Sequence, residues 1–353
     1  MHILGKPTRI VTLAAFLALP FLTAATARAW DYEGHRAINL VALDSLPADA
    51  PAFLRTPEAR ERIGFLAGEP DRWRNSYDPS IRHINQIEHF FDVEDLEPLG
   101  IKFSELPQFR YIFVSDLTRA RDIHADKLPK IDPVRNRDAT RAYPGFIPWA
   151  IAENYGKLKS GFSYLKAFEE HGGTAEEIAQ AKANILYVMG TMGHYVGDGC
   201  QPLHVTKHFN GWAGPNPNGY TRARTIHSWI DSGLFNKTGG IDAAMIADRA
   251  KPAERLSNAP DDPAGRDPIF VQILAYIEGQ LPAVEQIYIY EKAGKLDPAQ
   301  PQSKEGRALL ENQLLRGAKM LGDLWYTAYK DAGPDNYLIT SLKARQTRKA
   351  AAE

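Results

Sequence analysis

"AKANILYVMGTMGHYVGDGCQPLH", residues 181–204, begins with apolar side chains at helical spacing and ends with His194, Asp198 and His204 inside eleven residues. Ile185, Met189, Met192 and Val196 recur three or four residues apart, the period of one helix face. His194 and Asp198 stand four apart at the end of that run, so their side chains share a face and can reach one ion. Pro202 has no N–H to continue a helix and ends or bends it just before His204. A second pair with the same spacing, His227 and Asp231 in "TIHSWIDSG", lies on another expected helix.

Outward from this stretch, the helical period recurs at residues 36–46, 146–168, 175–196, 222–234, 268–281 and 308–329, while two-residue alternation is scarce. The expected fold class is therefore all-α, a single multi-helix domain over residues 30–342. Long loops are expected around residues 71–143 and 209–221. The Pro- and Asp-rich residues 251–268 read as a connection between helices. Residues 343–353, "KARQTRKAAAE", read as a solvated basic tail. With 44% hydrophobic and 24% charged residues in 353 and a formal net charge of −1, the chain can fill a large core. The same balance argues against a nucleic-acid scaffold held by bulk positive charge.

Residues 1–29 carry Lys6 and Arg9, an apolar run from Ile10, and small residues closing on Ala27-Arg28-Ala29. That order is expected of a cleaved export signal, giving a secreted or periplasmic protein that starts at Trp30. No later apolar segment has spanning length, so no stable membrane anchor is expected. Cys200 is the single cysteine, which excludes an intrachain disulfide and closed thiolate metal sites. It reads as a small packing residue. There is no Gly-x-Ser-x-Gly turn for a serine nucleophile, no His-Glu-x-x-His, and no histidine with Glu three residues before it. What remains is a set of imidazoles and carboxylates of the kind that binds zinc.

"HYVGDGCQPLH" followed by "HSWID" resembles the core of the zinc-dependent superfamily that joins fungal and plant single-strand-specific zinc nucleases to bacterial zinc phospholipases C. The resemblance implies an all-helical fold around three Zn2+ ions. The family also uses the amino group and carbonyl of an N-terminal Trp, which fits the expected cleavage before Trp30. "WDYEGH" supplies His35 at the short spacing of the nuclease branch. The family's Asp falls on Asp71 in "GEPDRWR", and its loop histidine on His89 in "HFFD", with His83 in "IRHINQ" also available. The inherited scheme puts Asp71, His89, His194 and Asp198 on one zinc. His204, His227 and Asp231 hold a second, and Trp30, His35 and Asp198 the third. Asp198 bridges two ions, and Asp71 both binds zinc and orients the attacking water.

The resemblance implies phosphodiester hydrolysis by zinc-activated water. Single-stranded DNA or RNA is the preferred substrate, with nucleotidase activity as an extension, and phospholipid head groups are the alternative. Short Trp30-to-His35 spacing, "QPLH", and the 23 residues from His204 to His227 favour the nuclease branch. "HYVGD" and the lack of a Gly-Gly-Asn segment in "GWAGPNPNG" lean the other way. Phe90, Trp212 and Tyr220 are candidates for stacking a base or lining a lipid pocket, and Arg222 and Arg224 for touching phosphate. No protein partner is implied. A non-catalytic zinc protein is the reading from another class, disfavoured because structural sites are usually closed and Cys-rich.

Overall fold

The computed structural model describes residues 30–256 and 262–351. The expected export signal, residues 1–29, lies outside them. The chain forms α1 (Tyr32–Asp44), α2 (Pro57–Leu66), α3 (Glu69–Arg74), α4 (Pro79–Gln86), α5 (Arg110–Ile123), α6 (Ile147–His171) and α7 (Ala175–Cys200). The second half adds α8 (Ile226–Ser228), α9 (Leu234–Lys237), α10 (Pro268–Glu278), α11 (Leu281–Lys292), α12 (Ser303–Lys330) and α13 (Asn336–Ala350). No sheet occurs among the described residues, only isolated bridges, and the fold is all-α.

Local chemistry sets the boundaries. Thr174 and Glu177 form a reciprocal capping box that starts α7. The helix stops at Cys200, after which Pro202 opens a 3-10 turn, Pro202–His204, capped by the Gln201 side chain on Leu203 N at 2.6 Å. Asp31 caps α1 at Tyr32 N, 2.7 Å away, and Asp267 caps α10 ahead of Pro268.

Helix α7 is the centre of the bundle. It packs on α6, α2, α12 and α1, and α12 also packs on α1 and α6. Every residue of α7 from Met189 to Cys200 is buried, so this end of the helix meets protein on all sides. An aromatic cluster supports the same end. Trp149 of α6 stacks on Phe113 at 4.4 Å, with Phe91, Phe146 and Phe270 around it. Such pairs contribute about 0.5–1.5 kcal/mol each beyond area burial.

Three expectations need correction. Residues 71–143 are not one long loop but hold α3, α4, α5 and several 3-10 turns. The helix expected at 222–234 starts only at Ile226 and widens into a π turn, Trp229–Gly233, before α9. The basic end is not a free tail either: α13 runs to Ala350, and Arg345 pairs with Glu177 at 2.8 Å. Residues 352–353 lie outside the described part.

Candidate metal centre

Close approach of α1 to α7 sets the first side of the site. A Cβ on Gly193 would stand 1.8 Å from Asn39 Oδ1, and one on Gly197 would stand 2.6 Å from His35 Nδ1. Only glycine leaves room there. Asn39 donates from its amide to the carbonyls of Ile63 and Gly190, both at 3.0 Å, and ties α1 to α2 and α7. His35 therefore stacks on His194 with ring centroids 3.9 Å apart, and its Nε2 lies 3.5 Å from Asp198 Oδ1.

His89 ends the 3-10 turn Ile87–His89. That turn is pinned by Phe146 N on the Ile87 carbonyl at 2.7 Å and Phe91 N on the His204 carbonyl at 2.8 Å. His89 Nδ1 lies 2.9 Å from both Asp198 Oδ2 and His194 Nε2. Asp71 of α3 brings Oδ1 to 3.9 Å from His194 Nε2 and pairs with Arg74 Nε at 2.8 Å.

The turn after α7 and the π turn build the last side. His204 Nε2 and His227 Nε2 stand 2.9 Å apart, and His227 Nε2 is 3.2 Å from Asp231 Oδ2. Gln201 donates to Asp231 Oδ1 at 2.6 Å and fixes that carboxylate. Trp30 enters here: Asp31 N meets the Asp231 carbonyl at 3.4 Å, and the buried Trp30 ring lies 6.2 Å from that of Phe235.

Three buried or half-buried groups result: His35, His194 and Asp198; Asp71, His89 and His194; and His204, His227 and Asp231. In each, the donor atoms lie within 4.8 Å of one another and could hold a metal ion. Asp198 sits between them, Oδ2 toward His89 and His194 and Oδ1 toward His35 and His204, at 3.4–3.5 Å on that side.

Three observations fit these residues to cations. His194 Nδ1 and His204 Nδ1 face the carbonyls of Ala67 and His89 at 2.7 and 2.6 Å; donating there leaves each Nε2 lone pair turned inward. Of the twelve buried side-chain polar atoms without a hydrogen-bond partner among the described residues, seven belong to His35, Asp71, His89, Asp198, His227 and Asp231. Buried polar atoms rarely go unpartnered; Asp71 Oδ1 has the Arg74 guanidinium beside it, and among the rest the His35 nitrogens, Asp198 Oδ1 and Asp231 Oδ2 lie within the donor groups, where a cation could satisfy them. Burial lowers His35 to about 4 and His89 to about 3, and also lowers His204 and His227, which favours the neutral rings that bind metal. His194, where Asp198 outweighs burial, is raised instead, and burial raises Asp231. Burial pushes Asp198 up, but His194 and His204 outweigh it and hold the carboxyl well below its usual range. Imidazole and carboxylate without thiolate suit a borderline ion such as zinc.

The other candidates sort cleanly. His83 is exposed, its Nδ1 2.6 Å from the Asp138 carbonyl, and it belongs to none of the groups. Cys200 is buried, its Sγ bonded to the Gly197 carbonyl at 3.0 Å, and burial pushes its thiol up to about 12. Trp212 and Tyr220 anchor their loop: Trp212 stacks on His208 at 4.0 Å, and the Tyr220 hydroxyl donates to Glu285 at 2.8 Å. Arg222 staples the same loop through the carbonyls of Trp212 and Gly214. Phe90 alone of the three aromatics lines the cavity of about 350 Å³ that opens on His204 and His227, together with Arg74, Asp92 and Tyr143. Sequence reasoning missed Gln201, Asn39 and Arg74. Gln201 lies inside the quoted motif and Arg74 three residues after Asp71, which was the available signal.

Neither a scan against protein-family models nor a search of curated proteins gave a match to this chain. No helix among the described residues is long and apolar enough to cross a membrane.

Proposed function

We propose that the chain is an exported zinc-dependent phosphodiester hydrolase with single-stranded nucleic acid as its preferred substrate. In this reading Trp30, His35, Asp71, His89, His194, Asp198, His204, His227 and Asp231 hold three zinc ions. The observation that carries it is Asp198, a buried carboxylate whose two oxygens turn to different imidazole groups, as a carboxylate shared by two cations must. Zinc there would lower the pKa of a water toward neutrality and stabilise charge on the phosphate oxygens. The chain's own part is orientation. Asp71 is the least buried of these carboxylates, with 16% of its side chain exposed. Burial raises its pKa, but His194 and Arg74 bring it below the ordinary value, so it stays ionised and, in this reading, would orient a water at the ion it shares with His89 and His194. Phe90 offers a ring face in the cavity for a base.

One observation favours the phospholipase reading instead. Ile84 and Tyr111 are 54% and 85% exposed on a groove that shares Tyr143 with the cavity, as a lipid-facing rim would be. Parallel assays of the zinc-loaded chain starting at Trp30, on single-stranded DNA or RNA and on phosphatidylcholine, separate the two. Nucleic-acid cleavage alone supports the first reading; phosphocholine release alone replaces it with the second. Inactivity on both with zinc bound leaves a non-catalytic metal protein. A chain with one extra residue before Trp30 is expected to bind one zinc fewer, and full zinc content by elemental analysis would remove Trp30 from the ligand set.

A further inference from the structure

Gln201 follows the last residue of α7 and is fully buried. Its backbone joins two donor residues: its N–H donates to the Asp198 carbonyl at 3.0 Å, and its carbonyl accepts from His204 N at 2.9 Å. Its side chain is used at both ends. The amide oxygen accepts from Leu203 N at 2.6 Å, and the amide nitrogen donates to Asp231 Oδ1 at 2.6 Å. The Leu203 N–H settles which end is which, because only the oxygen can face a donor, and the NH2 is left for the carboxylate. One side chain thus ties the turn that carries His204 to a carboxylate 30 residues further along the chain.

The consequence falls on Asp231. Its Oδ1 is held by Gln201, while its Oδ2 lies 3.2 Å from His227 Nε2 and has no hydrogen-bond partner. His204, His227 and Asp231 then offer two imidazole nitrogens and a single carboxylate oxygen. A carboxylate free at both oxygens can chelate through both and suits harder ions of higher coordination number. Held to one oxygen beside two imidazoles, it suits zinc with an open position.

We propose that Gln201 is a positioning residue that holds Asp231 to one oxygen and so sets the preference of the group His204, His227 and Asp231 for zinc over a harder ion such as Mn2+. The inference rests on reading that group as a metal site. Hydrogen-bond partners behind metal ligands contribute about 10–100-fold in affinity. Loss of Gln201 also strips a buried carboxylate oxygen of its donor, and that oxygen is then free to turn to the ion.

The test is titration of the full chain starting at Trp30 with Zn2+ against a competing chelator, and with Mn2+ followed by the EPR signal of the free ion. Gln201→Met keeps the side-chain length and removes both bonds. It is expected to weaken one zinc by about 10–100-fold, leave the others unchanged and weaken Mn2+ less, so that the preference for zinc narrows. Gln201→Glu keeps an acceptor for Leu203 N but has no donor for Asp231 when ionised, and is expected to weaken the same zinc. Gln280, buried with its amide on the Tyr276 carbonyl at 2.6 Å and outside the donor groups, supplies the control: Gln280→Met should lower Tm and move neither affinity. Unchanged zinc affinity in both Gln201 variants would overturn the proposal. So would weakening of zinc and Mn2+ by the same factor with a lower Tm at saturating zinc, the mark of a merely structural role. Wild-type protein that binds no zinc overturns the metal reading itself, and with it this inference, before any variant is compared.

Discussion

A single methyl group at position 197 separates packing from chemistry in this molecule. The Cβ of a Gly197→Ala variant would stand 2.6 Å from His35 Nδ1 and 3.1 Å from Ile38 Cδ1, so α1 or the imidazole must move. Overpacking of that size costs about 1–3 kcal/mol. On the proposed metal assignment, the expected outcome is a lower Tm together with loss of one bound zinc, read by elemental analysis; normal zinc content would take His35 out of the proposed ligand set. His89 and His83 give a second comparison. His89 is buried among Asp198 and His194, whereas His83 is exposed on a carbonyl. His89→Ala should therefore lower zinc content and activity, and His83→Ala should change neither; the opposite result in a phosphodiesterase assay and zinc count would reverse the assignment. At this scale the sequence was informative wherever residues of one donor group lay in a short motif, as His227 and Asp231 do. The grouping of Asp198 with His89 and His35 was not readable from spacing alone, because the partners are 109 and 163 residues away and only packing brings them together. Asn39, which ties three helices through backbone carbonyls 24 and 151 residues distant, left no local signal for the same reason.

Elements were legible in proportion to what they bury. α7 shows its period because its apolar positions meet α6, α2 and α12. α4 buries none of its residues, α5 only Phe113 and Leu117, and α13 only Leu342; α4 is one-sided but spans just eight residues, too few for the period to stand out, and α4, α5 and residues 343–350 of α13 were read as loop or tail. The π turn was hidden differently, since His227 and Asp231 satisfy a four-residue spacing in an ordinary helix too. α13 is held instead by polar contacts: Arg345 on both oxygens of Glu177 at 2.8 and 2.9 Å and on the Gly172 carbonyl at 2.8 Å. The Arg345 guanidinium lowers the Glu177 pKa to about 2 from 4.5. A depressed carboxylate contributes its stability above the unfolded value and loses it as pH falls toward the folded one. Arg345→Ala should therefore increase protease cleavage within α13 at neutral pH. By hydrogen exchange of α13, the gap between variant and wild type should close as pH drops from about 4.5 to about 2. The pair is exposed, so the effect is local fraying rather than global unfolding. Equal exchange of variant and wild type at neutral pH would show that packing on α6 alone holds the helix.

At the scale of the whole molecule, the site joins segments that the fold otherwise connects only through packing. Its side chains come from α1, α3, the turn at His89, α7, the turn at His204, α8 and the π turn, and no disulfide spans them. Imidazoles face one another at 2.9 Å, once between His89 and His194 and once between His204 and His227, and Asp198 and Asp231 are buried beside them. Without cations, each of these contacts needs a ring proton shared between the facing groups; with cations bound, the same donors would act as a staple. Ions that bind the folded chain alone stabilise it by about 4 kcal/mol per site at a free concentration of 1,000 Kd. Thermal melting with and without a strong chelator should show a large fall in Tm that grows with chelator and reverses on adding zinc. An Asp198→Asn variant, unable to share a charged carboxylate between two groups, should begin at a lower Tm and lose less of it on chelation. Equal melting of wild type with and without chelator would mean that the clustered histidines are satisfied by protons alone, and the molecule would then be a helical bundle with a polar core rather than a metal-stapled one.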